Sequence, residues 1–222
     1  MKNISFEPKL IIVDCDGVLY HPSELDVNAM VYAFNDVCDD FSLCEEKCSH
    51  IENCMCDKPI KGFYDYIGFV AKKVGLERDD FILKMVEHID YSGIMPDKDD
   101  ILKKFERLSK KCPLCICTNN HEAHVNQVLK AKFNILTQQL PFEFFDVRYA
   151  QKDGLFYPKE SELFVGQLEE HFGVKACNFL WIDDNPKIVE KIAKYGCRAI
   201  LVDEKHNLSK VLTALCDENG DL

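Results

Sequence analysis

The chain lacks any apolar run long enough to cross a bilayer as a helix, which requires about 20 consecutive apolar residues. Residues 1–9 include Lys2, Glu7 and Lys9, so the apolar block of an export signal is missing there as well. Basic residues are few relative to acidic ones, 27 against 38, which gives a formal net charge of −11. Such a charge repels nucleic acid and anionic membranes on average. We therefore expect a cytoplasmic protein that binds neither nucleic acid nor membrane.

Internal repeats and low-complexity segments are also missing, which excludes repeat arrays and fibrous folds. Of the 222 residues, 47% are hydrophobic and 29% are charged, a balance typical of globular proteins. This length suits either one large domain or one domain that carries an insertion.

Cysteine is unusually frequent, with 12 residues, and five of them fall in one segment: Cys38, Cys44, Cys48, Cys54 and Cys56. Without an export signal we do not expect a disulfide framework. The spacing also lacks the paired C-x2-C knuckles of most structural zinc sites. Two interpretations stay open, a metal site formed by Cys44, Cys48, Cys54 and Cys56 or a reduced thiol-rich segment packed partly into helices. The spacing favours the second.

Short apolar runs of the kind that form buried parallel strands occur at Leu10–Val13, Leu114–Cys117, Phe179–Ile182 and Ala199–Val202, with a weaker run at Phe142–Val147. Apolar residues at helical spacing lie between them, over 101–108, 125–129, 164–172 and 188–193. Strands that alternate with helices predict an α/β fold with a doubly wound parallel sheet.

The segment between the first strand and Pro96 departs from this alternation. It contains helical patterns near Val27–Val37, Gly62–Val74 and Phe81–Ile89 but no convincing strand. It is far too long for an ordinary strand-to-helix loop. We therefore predict an inserted helical subdomain over residues 21–93, with residues 1–20 and 94–222 forming the core. An insert that begins beside the first strand would act as a lid.

Two aspartates, Asp14 and Asp16, follow directly after the first predicted strand. The carboxyl ends of the strands are where open α/β sheets bind ligands, and alternate residues of an extended chain face the same side. Gly17, next in sequence, permits a tight turn and a close approach to a ligand. Two carboxylates this close repel each other unless a cation binds between them or one is protonated. The pair therefore indicates a functional site more than a role in packing.

Polar residues suited to phosphate follow the other strands. Thr118, Asn119 and Asn120 come after the second strand, at the start of a helix whose free N–H groups favour an anion, although simple helix capping is the alternative. Lys159 is a candidate counter-charge to the acids and to a phosphate.

Two further aspartates, Asp183 and Asp184, follow the run Phe179–Ile182. A single acid would suffice to cap the helix that begins near Pro186, so the second one exceeds that need. Together with Asp14 and Asp16 they offer an all-oxygen ligand set, which Mg²⁺ prefers.

Taken in order, these segments resemble the four motifs of the haloacid dehalogenase (HAD) superfamily, over residues 9–20 and 94–205. The first motif, D-x-D-x-[TV], is similar to Asp14–Val18, and the next three resemble Thr118, Lys159 and the pair Asp183-Asp184. The resemblance implies a Rossmann-like core with a small, mobile helical cap. It also implies a phosphatase that acts on a small phosphorylated metabolite.

The same resemblance implies the role of each residue. Asp14 would be the nucleophile that forms an aspartyl phosphate, and Asp16 would be the general acid and base. Mg²⁺ would bind Asp14, the backbone carbonyl of Asp16 and Asp184, with Asp183 as a direct or water-mediated ligand. The phosphate oxygens would be bound by Thr118, Asn119, Lys159 and the N–H groups of the turn that contains Gly17.

Two departures from the family pattern leave alternatives open. Many capped members have Lys-Pro in the third motif, whereas this chain has Pro158-Lys159, so Lys152 is a second candidate for that lysine. The fourth motif is Asp-Asp-Asn where Gly-Asp is common, so Asp183 and Asp184 could exchange roles.

The substrate is less well defined than the reaction. The layout is somewhat similar to that of pyrimidine 5′-nucleotidases, which suggests a nucleoside monophosphate. A phosphomutase of the β-phosphoglucomutase kind and a catalytically silent binding module are the alternatives, and the oligomeric state is left open. His21, His121 and His124 lie near the predicted crevice, and we expect structural or exposed positions for them.

Overall fold

A computed structural model of the chain describes residues 7–26, 28–40, 63–146, 148–152, 155–203 and 205–217. Cys44, Cys48, Cys54 and Cys56 lie outside these residues, so the metal site considered for them stays a prediction.

The described residues form seven strands: β1 (Leu10–Val13), β2 (Leu114–Cys117), β3 (Glu143–Phe145), β4 (Gln151–Lys152), β5 (Leu155–Phe156), β6 (Phe179–Asp183) and β7 (Arg198–Leu201). Five of them make one parallel sheet in the order β3-β2-β1-β6-β7. The other two form an antiparallel hairpin, β4 with β5, which the sequence did not predict. The predicted α/β class with a parallel sheet is confirmed.

Burial on both faces explains why the central strands are continuous apolar runs. Ile11 and Val13 of β1 belong to one hydrophobic cluster, whereas Leu10 and Ile12 belong to another on the opposite face. The strand is therefore covered on both sides. The predicted bounds of β1 and β2 coincide with the observed ones, while β6 is one residue longer than predicted and β7 begins one residue earlier.

Eight helices are described: α1 (Ala29–Asp40), α2 (Phe63–Lys73), α3 (Arg78–Glu87), α4 (Ile101–Ser109), α5 (Glu122–Phe133), α6 (Glu162–Phe172), α7 (Pro186–Ala193) and α8 (Leu208–Cys216). None of the described helices has both the length and the apolar character that a membrane span requires.

Three of these helices, α1 to α3, lie between β1 and α4, where the helical insert is predicted. They pack on one another through aromatic rings: Phe34 of α1 lies 5.4 Å from Tyr66 of α2 and 5.7 Å from Phe81 of α3, measured between ring centroids. The described helices of the insert thus pack on one another, and their buried residues belong to the same hydrophobic cluster as one face of the sheet. Its bounds at residues 21 and 93 stay a prediction.

The chain segments that lead into and out of these helices run side by side and are joined by Glu24. One carboxylate oxygen of Glu24 accepts a hydrogen bond from the backbone N–H of His21 (3.0 Å), and the other accepts one from Met95 (2.7 Å). Gly93 lies so close to the Glu24 backbone carbonyl that a Cβ there would be 2.5 Å from its oxygen. The two chain segments that connect the insert to the core therefore pack against each other at Glu24 and Gly93.

Candidate active site

Neighbouring strands bring the acidic and hydroxyl side chains to one edge of the sheet. Asp14 follows β1, and its backbone N–H donates to the carbonyl of Ile182 in β6 (2.9 Å). Thr118 follows β2, and its N–H donates to Phe145 of β3 (3.1 Å). Asp183 ends β6. Because β1 lies between β2 and β6, the residues after these strands meet at the carboxyl end of the sheet.

Asp14 is buried in an ion-pair network with Lys159. The Nζ of Lys159 lies 2.5 Å from Asp14 Oδ1 and 2.8 Å from Asp183 Oδ2, and all three side chains are less than a tenth exposed. Burial raises the pKa of Asp14 to about 8 and outweighs the opposing attraction of Lys159. Burial alone would lower the pKa of Lys159, but Asp14 and Asp183 outweigh it and raise that pKa. The lysine therefore stays charged and neutralises part of the acidic cluster.

Three carboxylates could hold a metal ion together. Oxygens of Asp14, Asp183 and Asp184 all lie within 4.8 Å of one another. Asp183 is oriented by the backbone N–H of Asn185 (2.9 Å) and the indole N–H of Trp181 (3.4 Å). Burial and the charge of Asp183 raise the pKa of Asp184, as expected where like charges crowd together. An all-carboxylate set of this kind fits a hard divalent cation such as Mg²⁺.

Gly17 lets the turn after β1 lie against the carboxylate of Asp184. Its φ is +72°, a conformation that glycine adopts without strain. A Cβ at this position would be 2.0 Å from Asp184 Oδ2, so the Asp184 carboxylate would have to move. The glycine is therefore required both for the turn and for the position of Asp184.

Asp16 lies in a different environment, where hydroxyl, amide and imidazole groups contact both of its oxygens. Its Oδ1 accepts from the Tyr20 hydroxyl (2.7 Å) and lies 2.7 Å from His124 Nε2. Its Oδ2 accepts from Asn120 Nδ2 (2.7 Å) and Thr118 Oγ1 (3.2 Å). Burial alone would raise the pKa of Asp16, but His124, Tyr20 and Asn120 together outweigh it and lower that pKa. The Asp16 carboxylate is not part of the three-carboxylate group formed by the described residues.

Asn119 is joined to the segment that carries Lys159. Its side-chain carbonyl accepts from the backbone N–H of Lys159 (2.7 Å), and its Nδ2 donates to Glu160 (3.1 Å). The amide thereby anchors the lysine while it also lines the cavity. Lys152, the second candidate, is exposed on the β4–β5 hairpin and does not line the cavity.

A cavity of about 290 Å³ opens over these side chains. On the core side it is lined by the residues that sequence patterns singled out: Asp14, Asp16, Gly17, Thr118, Asn119, Lys159 and Asp184. On the side of the insert it is lined by Pro22, Leu25, Asp26, Ala29 and Met30. The site is therefore shared between the sheet edge and the beginning of the insert.

Sequence patterns singled out Thr118 and Asn120 but missed the other two partners of Asp16, Tyr20 and His124. His124, for which a structural or exposed position was expected, is buried, with 2% of its side chain exposed, and contacts Asp16. Tyr20, which no motif singled out, also contacts Asp16.

Comparisons with known proteins agree with this geometry. A model of the haloacid dehalogenase-like hydrolase family matches residues 8–195. No curated protein matches the chain significantly.

Among solved structures, a predicted HAD-like hydrolase of Porphyromonas gingivalis has a TM-score of 0.60 at 15% identity, covering 96% of this chain and 99% of that one. A HAD family enzyme of Bacteroides thetaiotaomicron, solved with magnesium and inorganic phosphate, has a TM-score of 0.56 at 15% identity, with coverage of 92% and 99%. CbbY of Rhodobacter sphaeroides, solved with xylulose-1,5-bisphosphate, has a TM-score of 0.53 at 14% identity, with coverage of 90% and 88%. At sequence identities this low, the similarity to these three structures shows a shared fold and nothing more.

The family match spans most of the chain, from before β1 to beyond α7, and it includes every residue that lines the cavity. The chain therefore belongs to the haloacid dehalogenase-like hydrolases.

Proposed function

We propose that the chain is a Mg²⁺-dependent phosphomonoester hydrolase that works through an aspartyl-phosphate intermediate. The observation that carries this proposal is the contrast between two aspartates of one turn. Asp14 is paired with Lys159 inside the acidic cluster, while Asp16 faces the same cavity among hydroxyl, amide and imidazole groups. Asp14 lies beside the ammonium that would bind phosphate, as the nucleophile would, and Asp16 is held apart from that ammonium on the same cavity, as the proton carrier would be.

In the first half-reaction an oxygen of the Asp14 carboxylate attacks phosphorus, and a new O–P bond forms. The ester P–O bond breaks, its electron pair goes to the ester oxygen, and Asp16 supplies the proton that this oxygen takes up. In the second half-reaction water attacks the phosphorus and gives a proton to Asp16. The Asp14–phosphorus bond then breaks, which restores the carboxylate and releases inorganic phosphate.

Lys159 and Thr118 would bind the phosphoryl oxygens, together with Asn119 and the backbone N–H of Gly17. Mg²⁺ would be bound by Asp14, Asp183 and Asp184, with the backbone carbonyl of Asp16 as a further ligand, and would offset the repulsion between carboxylate and phosphate. Support for this metal comes from the all-oxygen donor set and from the Bacteroides relative solved with magnesium and phosphate.

The substrate we propose is a small phosphorylated metabolite, with a nucleoside monophosphate as the first choice. The cavity wall contributed by Pro22, Leu25, Ala29 and Met30 is apolar and suits a flat organic group, while Asp26 could accept hydrogen bonds from it. The insert, proposed over residues 21–93, would cover this group as a lid. The reaction would take place in the cytoplasm, in keeping with the net charge and the free cysteines of the described residues.

A phosphate-release screen tests the proposal. We expect purified protein with Mg²⁺ to release phosphate from 4-nitrophenyl phosphate and from at least one nucleoside monophosphate, and to lose this activity in EDTA or in Asp14→Asn. Interconversion of sugar phosphates without phosphate release would indicate a phosphomutase instead. Absence of turnover across a broad panel of phosphate esters, with Mg²⁺ present, would mean a binding module and would refute the hydrolase proposal.

A further inference from the structure

Two consecutive hydrogen bonds connect Tyr91, in the segment that leads from the insert back to the core, to Asp16. The hydroxyl of Tyr91 lies 2.8 Å from His124 Nδ1, and His124 Nε2 lies 2.7 Å from Asp16 Oδ1. The rings of Tyr91 and His124 are also in contact, with centroids 5.5 Å apart. Tyr91 follows α3, whereas His124 is in the first turn of α5, so the chain of bonds runs from the insert to the core.

We propose that His124 is a positioning residue for Asp16 and that Tyr91 links this residue to the position of the insert. The inference rests on the proposed function, because it assigns a task to the general acid and base of that reaction. His124 itself touches no phosphate and takes no part in bond making. Its task is to hold the Asp16 carboxylate on the leaving-group side of the cavity.

The orientation of the His124 ring is determined at both nitrogens. An imidazole whose two nitrogens both have partners cannot turn without losing one of them, and only 2% of the His124 side chain is exposed. Helix capping does not explain the residue, because the cap of α5 is His121, whose side chain accepts from the N–H of Ala123. His124 is therefore oriented toward Asp16 by contacts that the helix itself does not need.

Both oxygens of Asp16 are held, Oδ1 by His124 and Tyr20 and Oδ2 by Asn120 and Thr118. Rotation of the carboxylate toward the acidic cluster would break several of these contacts at once. The arrangement keeps Asp16 as a proton carrier and prevents it from becoming a fourth carboxylate in the cluster.

Tyr91 makes this arrangement sensitive to the insert. Tyr91 lies between α3 and Met95 in the chain, and the backbone N–H of Met95 donates a hydrogen bond to Glu24. A displacement of α3 relative to the core therefore moves the Tyr91 hydroxyl relative to α5. The contact between the Tyr91 hydroxyl and His124 Nδ1 therefore depends on the position of the insert, which couples that position to the orientation of His124 and, through it, of Asp16.

Dependence on the leaving group tests the proposal. 4-Nitrophenolate leaves without a proton, whereas the alkoxide of an alkyl phosphate such as glycerol phosphate needs one. We expect His124→Ala to lower kcat for the alkyl phosphate by about 10- to 100-fold, the usual range for loss of a supporting partner, with KM nearly unchanged and only a small loss on 4-nitrophenyl phosphate. His124→Gln, which retains an amide donor near Nε2, should recover much of the loss, and Tyr91→Phe should show the same selectivity with a smaller effect.

His171→Ala is the matched control, because His171 is exposed on α6 and pairs with Glu143 away from the cavity. It should match the wild type on both substrates. Equal losses on both substrates in folded His124→Gln and Tyr91→Phe, or no loss in either variant, would overturn the inference while leaving the hydrolase proposal intact. If the wild type hydrolyses neither these two substrates nor any ester of the broad panel, the proposed function fails, and the inference fails with it.

Discussion

Asp14 and Asp16 are two residues apart on the same turn, yet their surroundings shift their pKa values in opposite directions. Asp14 lies against a buried ammonium and two further acids, and burial raises its pKa to about 8. Asp16 is surrounded by hydroxyl, amide and imidazole groups, which lower its pKa. The neighbours of Asp14 come from β6 and from the segment before α6, whereas those of Asp16 come mainly from the start of α5.

This difference teaches that residue type and spacing alone do not define a catalytic role. Two identical carboxyl groups can divide the work of nucleophile and proton carrier because each one faces a different set of elements. Experiments that exchange or remove those surroundings should therefore affect the two aspartates differently.

The largest expected effect is the loss of the nucleophile. Asp14→Asn should reduce kcat by roughly 10⁴-fold or more on every phosphate ester, because no other group can form the covalent intermediate. Asp16→Asn should cost roughly 10²- to 10⁴-fold on alkyl phosphates but much less on 4-nitrophenyl phosphate. Steady-state kinetics on both substrate types measures the contrast. Identical profiles for the two variants would show that the aspartates do not divide the work.

The next largest effect is on the free energy of unfolding, through the ion pairs that Lys159 makes with Asp14 and Asp183. Lys159→Met leaves Asp14 and Asp183 buried without their counter-charge, and removing one partner of a buried ion pair costs about 3–5 kcal/mol. Urea unfolding in EDTA measures the loss, and Mg²⁺ should restore part of it because the cation replaces the ammonium. Lys152→Met, at an exposed lysine of the hairpin, is the control and should change the free energy of unfolding little. Equal stability of the two variants would contradict the role given to Lys159.

A smaller effect is expected from the turn that separates the two aspartates. Gly17→Ala places a methyl group 2.0 Å from Asp184 Oδ2 and forces that carboxylate away, and a displacement of about 1 Å in an active site costs on the order of 10²-fold in rate. Titration of activity with Mg²⁺ should also show weaker binding of the metal, as a higher Mg²⁺ concentration at half-maximal activity. Gly166→Ala in α6, where a Cβ meets nothing within 4 Å, should leave activity unchanged and stabilise the helix by up to about 1 kcal/mol. If Gly17→Ala reaches half-maximal activity at the same Mg²⁺ concentration as the wild type, the result would argue against Asp184 as a ligand.

The smallest effect is a pH dependence of stability that belongs to Asp14. Its pKa rises from 3.8 to about 8 in the folded protein, so between these values the folded chain holds a proton that the unfolded chain has lost. Stability contributed by this group is therefore complete below about pH 4 and falls as the pH rises toward 8. In EDTA, the free energy of unfolding of the wild type relative to Asp14→Asn should decrease between pH 5 and pH 8 by at least about 1 kcal/mol. A pH-independent difference between the two proteins would show that burial does not raise this pKa.

Patterns in the sequence predicted the central sheet well, because β1 and β2 are buried on both faces and leave an uninterrupted apolar run. The β4–β5 hairpin was missed, since strands of two residues carry no periodicity. Contacts made across a long stretch of chain were missed as well: His124 is 108 residues away from Asp16. Nothing local to either residue indicates that contact.

The sequence by itself determined the α/β class, the order of the strands along the chain and the group of acids, hydroxyl and lysine that the family shares. These features depend on local hydrophobic patterns and on short motifs, which act over a few residues. Only the tertiary structure decided the environment of each carboxylate, because electrostatic shifts depend on burial and on partners that folding brings together from distant segments. Asp14 and Asp16 are alike in the sequence, and their packing alone makes them different.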